Sequence, residues 1–218
     1  YEEALKCYEK TIELDSDNAN AWGNKGNVLR DLKSYDEAIK CCDKAIKLDP
    51  NHSVAWNNKG NALYSLKSYE EALKCYDKAL EINQNYSDSW NNKGAVLYDL
   101  KKYKEALNCY DKALEINHNY FEAWNNKGNA LYSLKKYEEA LNCYDKSLEI
   151  NQKYIEAWNA KGNTLYVLKK YEKAIFCYDK VLEVDPNNTY YALGWKGNAL
   201  NSLGKYEEAL KCFDKVLE

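Results

Sequence analysis

The sequence predicts an all-α array of antiparallel helix pairs, and three periodic features indicate it. A tryptophan recurs every 34 residues, a glycine follows each tryptophan by four residues, and an alanine keeps the same interval further along each unit. Self-similarity at a fixed period of this length is typical of a solenoid, in which each repeat packs on its neighbours. The three rows are Trp22, Trp56, Trp90, Trp124 and Trp158; Gly26, Gly60, Gly94, Gly128 and Gly162; and Ala38, Ala72, Ala106, Ala140 and Ala174.

Each unit contains two amphipathic segments, as residues 121–154 illustrate. Apolar or small side chains recur at close to the helical period over 121–134 and again over 137–150. Lys135 and Lys136 form the predicted turn between the two helices. Glu138 and Glu139 open the second helix, where acidic groups favour the helix dipole. Helices this short cannot bury their apolar stripes alone, so successive units must stack.

The register predicts a single domain over residues 1–218. It begins with a half repeat, a second helix only, in residues 1–18. Full repeats follow at 19–52, 53–86, 87–120, 121–154 and 155–188, and a last repeat spans about 190–218. The glycine of the last repeat, Gly197, comes 35 residues after Gly162, which indicates one inserted residue near Thr189. Because the pattern is cut at both ends, we expect both ends to expose stacking surface, so that copies could associate end to end.

The spacing of Trp124, Gly128, Ala140 and Tyr144, with an alanine three positions after the tyrosine in other units (Ala79 and Ala113), resembles the tetratricopeptide repeat. The resemblance covers essentially the whole chain. It implies a right-handed superhelical solenoid that acts as a non-catalytic scaffold for protein–protein interaction, with its first helices lining the concave side.

Two rows of lysines depart from the family pattern. A lysine replaces the usual leucine before the glycine, and we expect its stem to cover apolar surface while its ammonium group reaches water. A second lysine replaces the usual glycine of the turn, which adds about 1 kcal/mol of strain where φ is positive. The two rows are Lys25, Lys59, Lys93, Lys127, Lys161 and Lys196, and Lys33, Lys67, Lys101, Lys135 and Lys169, with Gly204 alone keeping the glycine.

Charge and hydropathy exclude two classes of partner. The chain has 31 basic and 34 acidic residues interleaved along its length, for a net charge of −3. Nucleic-acid binders concentrate positive charge on one face, so neither DNA nor RNA is expected, even though pentatricopeptide RNA binders are also helical pairs of similar length. No stretch reaches the roughly 18 to 20 apolar residues of a membrane span.

Cysteines and histidines predict no cofactor and no metal. Seven of the eight cysteines follow the repeat interval. Stacked helix pairs lie about 10 Å apart, which is too far for a disulfide. We therefore expect half-buried free thiols and a reducing, cytoplasmic compartment. Two histidines without a Cys-x-x-Cys pair do not make a zinc site, and no nucleophile–base pair or phosphate loop is visible, so we expect no enzyme activity.

Asparagines on the first helices are the candidate site. Asparagine forms helices poorly, so rows of it have no evident local benefit, whereas each amide can pair with the N–H and C=O of an extended peptide. The candidate residues are Asn24, Asn27, Asn57, Asn58, Asn61, Asn91, Asn92, Asn125, Asn126, Asn129, Asn159 and Asn163, with Tyr64, Tyr98, Tyr132 and Tyr166 one turn further on.

One of these rows resembles the asparagine ladder of O-GlcNAc transferases, which holds peptide backbones. Its members here are Asn24, Asn58, Asn92 and Asn126, and Ala160 interrupts it. The alternative is a solvated face that all copies inherited from one ancestral repeat, with the tyrosines packing between neighbouring first helices. About 1 kcal/mol for each hydrogen bond, set against the ordering of a peptide, predicts micromolar or weaker affinity.

Acidic residues at the starts of three first helices, together with Asp99, indicate the charge of the partner. They favour a protein or extended peptide that carries Lys or Arg. The lysine clamp with which related repeats hold the C-terminal carboxylate of heat-shock proteins is absent, because Gly23 and Val54 occupy two of its positions. Two other functions stay open: a regulatory or substrate-recruiting array of a larger enzyme, and a self-assembling structural module. The acidic residues are Asp88, Asp99, Glu122 and Glu156.

Overall fold

The structure is a computed structural model that describes residues 1–187 and 189–217, and this part of the chain forms thirteen α-helices and no strand. The all-α prediction is confirmed. Asn188, Glu218 and the side chain of Thr189 lie outside the described part, and with them the insertion and the repeat ends predicted there. The helices are α1 (Glu2–Leu14), α2 (Ala19–Asp31), α3 (Tyr35–Leu48), α4 (Ser53–Ser65), α5 (Tyr69–Ile82), α6 (Ser87–Asp99), α7 (Tyr103–Ile116), α8 (Phe121–Ser133), α9 (Tyr137–Ile150), α10 (Ile155–Val167), α11 (Tyr171–Val184), α12 (Thr189–Ser202) and α13 (Tyr206–Leu217).

The helices pack in two compact units, residues 1–116 and 117–218. In the first unit α2 pairs with α3, α4 with α5 and α6 with α7, while α1 packs on α2, α3 on α4 and α5 on α6. In the second unit α8 pairs with α9, α10 with α11 and α12 with α13, while α9 packs on α10 and α11 on α12. Antiparallel pairs therefore stack on one another within each unit. The extension of one domain over the whole chain stays a prediction.

A glycine and an aromatic ring set the closeness of each pair. A Cβ atom on Gly128 of α8 would lie 2.5 Å from Cε1 of Tyr144 on α9, whose side chain is buried. Close packing of this kind leaves no room for one more methyl group. The same contact recurs between Gly60 and Tyr76 in the first unit. The glycine row is therefore a packing requirement of the helix pairs.

The turn within each pair holds its lysine at positive φ. Lys33 has φ of 62°, and its N–H donates to the carbonyl of Arg30 while the N–H of Ser34 donates to the carbonyl of Leu29. These two bonds define a Schellman motif, which normally carries glycine because a Cβ is strained there. Gly204 keeps the glycine, with φ of 77°. The other lysines of the row have φ between 59° and 62°: Lys67, Lys101, Lys135 and Lys169.

A tryptophan and a lysine join successive pairs. The Trp56 indole N–H donates to the carbonyl of Pro50 in the preceding turn. Lys59 lies with Nζ 5.9 Å from the Trp56 ring centroid and 2.6 Å from Oδ1 of Asp43 on the preceding second helix. The Lys59 side chain is 23% exposed, and its ammonium group is paired with an acid rather than left in water, because that carboxylate stands opposite it.

The cysteines are free, and all except Cys7 are buried. They lie deeper than the half-buried state we expected. Cys75 is 5% exposed, and burial raises the pKa of its thiol to about 11 despite the opposing effect of Lys59. These thiols pack as small apolar groups.

In the part of the chain that the structure describes, no helix is long and apolar enough to cross a bilayer.

Candidate functional site

The first helices of successive pairs lie side by side, which brings the asparagines of one repeat against those of the next. In the first unit α2 contacts α4 and α4 contacts α6, and in the second unit α8 contacts α10 and α10 contacts α12. The predicted site residues therefore come together within each unit. We call the predicted asparagines the asparagine rows.

Asn57 is the centre of a hydrogen-bond network between α4 and α6. Its Oδ1 accepts from the Ser89 hydroxyl at 3.0 Å and from the Asn92 amide at 3.2 Å. The other N–H of Asn92 donates to Oδ1 of Asn61 at 3.0 Å, and the Tyr76 hydroxyl donates to the same oxygen at 2.7 Å. The amides here hold neighbouring repeats together, a benefit that single-helix reasoning missed.

The ladder positions in the first unit differ in exposure. Asn58 is 7% exposed, and its amide donates to the carbonyl of Gly23 on the preceding first helix at 3.2 Å. Asn24 is exposed, and Asn27 is half-buried. At Asn61, Asn129 and Asn163, the equivalents of Asn27 in three other repeats, a tyrosine hydroxyl donates to the amide oxygen, whereas Cys42 stands in the tyrosine's place here. The Asn24 and Asn27 amides of α2 are therefore accessible to a ligand.

In the second unit, Asn129 and Asn163 repeat the phenol contact. Asn129 accepts from Tyr144 at 2.9 Å, and Asn163 accepts from Tyr178 at 3.0 Å. Asn163 also donates to the hydroxyl of Tyr191 at 2.6 Å. These amides thus connect the two helices of a pair.

Two amide oxygens in the second unit are buried without a hydrogen-bond partner among the described residues: Oδ1 of Asn125 and Oδ1 of Asn159. The reason is visible for Asn125. By the repeat interval, its donors should be residues 157 and 160, which correspond to Ser89 and Asn92 beside Asn57. Both are alanine, Ala157 and Ala160. A buried acceptor left unpaired costs about 1–3 kcal/mol.

The remaining predicted asparagines are Asn91, which is buried, and Asn126, which is half-buried. Both interact with other residues of the chain. They add no free amide to the rows.

The tyrosines one turn further on are half-buried and pack within their own helix pair. Tyr64 lies 5.9 Å from Tyr69, centroid to centroid, and its hydroxyl donates to Asp99 at 2.9 Å. Burial and this carboxylate raise the pKa of Tyr64 well above its usual value. Each ring thus keeps an exposed edge while its other side packs. The corresponding pairs of the other rows are Tyr98 with Tyr103, Tyr132 with Tyr137, and Tyr166 with Tyr171, each 5.4 Å apart.

Sequence reasoning missed one residue of this surface, Trp195. The inserted residue shifts the last repeat, so that Leu193 takes the tryptophan position and Trp195 takes the ladder position. In the structure the Trp195 ring lies 5.5 Å from Tyr166 and 6.4 Å from Tyr191. A column-by-column alignment of the repeats, allowing for the insertion, would have found it.

The chemistry of the surface is hydrogen bonding and charge. Asp88, Asp99 and Glu156 are exposed near the ends of first helices, as is a part of Glu122. No group of three or more His, Cys, Asp or Glu side chains among the described residues could hold a metal ion. The surface can therefore offer amide donors and acceptors together with carboxylates.

Sequence comparison identifies the family. The tetratricopeptide repeat model matches residues 19–52, 53–86, 87–120, 121–154, 155–188 and 190–218, and a second model of this repeat matches residues 1–30. The chain belongs to the tetratricopeptide repeat family. Arrays of this family generally act as non-enzymatic scaffolds for protein interactions.

Solved structures show the same fold. YrrB, described as a tetratricopeptide repeat protein with an unusual peptide-binding site, is 28% identical over 87% of this chain and 97% of its own, with a TM-score of 0.63. PilF of Pseudomonas aeruginosa is 22% identical over 89% of this chain and 88% of its own, with a TM-score of 0.80. MamA of Desulfovibrio magneticus RS-1 is 22% identical over 78% and 96%, with a TM-score of 0.67. No curated protein matches the chain significantly.

Proposed function

We propose that the chain is a non-catalytic scaffold that binds extended peptide segments along its first helices, and that the exposed amides of α2 are its best-defined contacts. The observation that carries the proposal is that Asn24 is exposed and Asn27 is half-exposed, one turn apart on α2, whereas their counterparts Asn58 and Asn61 bond within the fold. An amide so placed can pair with both groups of a peptide unit. The peptide-binding site described for YrrB supports the same use of this fold.

The charge on this surface favours a basic peptide. Asp99 accepts the Tyr64 hydroxyl through Oδ2, and its side chain remains exposed. Asp88 is exposed at the start of α6 and Asp99 closes the same helix. A Lys or Arg side chain of a bound segment would gain about 0.2–1 kcal/mol from each exposed carboxylate.

The first experiment measures binding of a fluorescein-labelled, lysine-containing extended peptide by anisotropy. Asn24→Ala with Asn27→Ala removes two amides that make no side-chain hydrogen bond among the described residues, so affinity should fall about 5-fold for one hydrogen bond lost and about 30-fold for two, at about 1 kcal/mol each. The matched control is Asn108→Ala, an exposed asparagine on α7. Unchanged affinity in the double variant would remove these amides from the mechanism.

The ladder itself needs a stability control. Alanine at Asn58, Asn92 and Asn126 also removes the bonds of Asn58 and Asn92 inside the fold. A loss of affinity counts for the ladder only where the urea midpoint of the variant shows that the array remains folded at the assay temperature.

The basic preference is tested with Asp99→Asn. The amide keeps an oxygen to accept from Tyr64 but removes the charge, so binding of the lysine peptide should weaken up to about fivefold at low salt and little at high salt. A glutamate-containing peptide that binds as tightly as the lysine peptide would contradict the preference.

Self-association is a second candidate, favoured by the exposed apolar side chains of α13. Tyr206 is 64% exposed, Leu210 60% and Leu217 85%. A second copy that stacks on this face would bury them. Light scattering across a concentration series should then show mass rising with concentration, and Leu210→Lys should suppress the rise. A constant monomer mass would refute this candidate.

The proposed setting is the cytoplasm. The eight free thiols, seven of them buried, suit a reducing compartment, where no oxidant competes to link them. A regulatory array within a larger enzyme is compatible with the same surface, since it would use the same peptide contacts.

A further inference from the structure

Helix α11 departs from the other second helices at two neighbouring positions. Lys173 stands where a glutamate occupies the other repeats, as in Glu105 and Glu139, and Phe176 stands where lysine or asparagine occurs, as in Asn142. The two positions are one helical turn apart and share a face. A lysine and an exposed ring thus appear together where the neighbouring second helices carry a glutamate and a lysine or asparagine.

Phe176 is 54% exposed beside a groove of about 340 Å³ between α9, α10 and α11. Leu141 and Leu165 lie at its base, and the ring of Trp158 contacts Phe176 edge-on with centroids 6.1 Å apart. The groove thus combines two leucines and an aromatic ring with a lining that is otherwise mostly polar and charged. It is lined by second helices and by the Trp-bearing side of α10, away from the asparagine rows.

Basic groups outnumber acidic ones around the groove. Lys161, Lys170 and Lys173 line it together with Glu138 and Asp145. Lys161 pairs with Asp145 at 2.5 Å, and Lys170 pairs with Glu138 at 2.9 Å. Lys173 has no ion-pair partner in residues 1–187 and 189–217, so one positive charge remains for a ligand.

The lysine pair is unfavourable for the helix itself. Lys102, just before α7, lies 4.0 Å from Glu105, and Lys136, just before α9, lies 3.0 Å from Glu139. At the same interval Lys170 precedes α11 and Lys173 lies in its first turn, so a second cation replaces the acid. A like-charge pair at this interval offers the helix no local stabilisation, and only Lys170 of the two is offset by an acid, Glu138.

We propose that this groove binds an acidic protein segment, which inserts one apolar or aromatic side chain beside Phe176 and sets carboxylates against Lys170 and Lys173. Two buried leucines, an exposed aromatic ring and one lysine without an ion-pair partner among the described residues match a hydrophobic residue flanked by acids. The partner differs in charge from the basic peptide proposed for the first helices. The two sites therefore respond to different probes.

The test uses the full 218-residue chain and the fluorescein-labelled peptide Asp-Glu-Phe-Glu-Asp. Lys173→Glu with Phe176→Asn gives α11 the two side chains that α9 carries, so the variant should fold, and circular dichroism checks this. Its affinity for the probe should fall at least tenfold. The single variants Lys173→Gln and Phe176→Asn should each lose several-fold, and replacing Phe by Gly in the probe should cost the wild type the same as Phe176→Asn.

A graft supplies the matched gain of function. The equivalent groove of the first unit keeps Leu73, Leu97 and Lys102 but carries Glu105 and Asn108 at the two variable positions. Glu105→Lys with Asn108→Phe should raise the stoichiometry of probe binding from one to two. If the graft adds no second site, these two side chains do not form the recognition element and the proposal fails.

Three further results would overturn the proposal. One is probe binding that the Lys173/Phe176 double variant does not weaken. Another is loss of probe binding in the Asn24/Asn27 double variant, which would place the acidic peptide on the first helices. The last is a single-stranded oligonucleotide that binds as tightly as the peptide and loses affinity with Lys173→Gln, since the surface would then recognise phosphates.

Discussion

The unpaired oxygen of Asn125 allows a stabilising substitution. At the equivalent place in the first unit the Ser89 hydroxyl donates to Asn57 at 3.0 Å, and Ser89 is fully buried, as Ala157 is. Ala157→Ser should therefore fit and pair with Asn125. Pairing an orphaned acceptor recovers part of its 1–3 kcal/mol cost, so we expect about 1 kcal/mol of added stability and a Tm higher by about 2–4 °C.

Two variants in the first unit serve as controls for this prediction. Ser89→Ala should lose less than 1 kcal/mol, because Asn57 still accepts from Asn92. Ala55→Ser places a buried hydroxyl opposite Gly23, which has no side chain to accept it, so it should gain nothing. Urea unfolding followed by circular dichroism measures all three. A157S without gain, together with S89A without loss, would refute the assignment of donors to Asn57 and Asn125.

Four other predictions concern the repeats. Gly128→Ala should cost about 1–3 kcal/mol in urea unfolding, because the new Cβ would stand 2.5 Å from the buried Tyr144 ring. Gly194→Ala, with nothing within 4 Å of its Cβ, should gain up to about 1 kcal/mol. Lys135→Gly should raise Tm by relieving the positive φ of 62°, at about 1 kcal/mol. Stability should fall between about pH 9 and pH 11, because the unfolded chain loses the Cys75 proton near pH 9 and the folded chain near 11.

Each has its own control. The reverse substitution Gly204→Lys should cost the stability that Lys135→Gly gains. If both variants have the Tm of the wild type, the strain argument is contradicted. Cys75→Ala with Cys109→Ala should flatten the alkaline limb, since burial also raises the Cys109 pKa to about 11. A stability that rises from pH 9 to 11 would contradict the sign of that linkage. If Gly128→Ala proves neutral, the ring is not the close contact described.

The helix pairs could be predicted from the sequence because each of their determinants recurs. Gly128, Lys135 and Tyr144 each appear at one place in every copy or nearly so, and helical spacing fixes what they meet. The deeper burial of the cysteines and the pairing of Lys59 with Asp43 could not be predicted, since they depend on how far one pair slides along the next.

The candidate site was harder to predict because its partners lie in the neighbouring repeat. Asn57 and Asn58 are adjacent in sequence, yet one accepts from α6 and the other donates to α2. Only the stacked register shows that Asn125 lacks these donors because residues 157 and 160 are alanine. Trp195 was missed because one inserted residue shifts the last repeat by one position, so that Trp195 no longer follows the 34-residue interval.

The most direct test of peptide binding by the first helices is a ¹⁵N nuclear magnetic resonance titration with the lysine-containing peptide. The account predicts that the side-chain amide signals of Asn24 and Asn27 and the backbone signals of α2, α4 and α6 shift together, while those of α3, α5 and α7 stay in place. Shifts confined to the second helices, or none at saturating peptide, would contradict it.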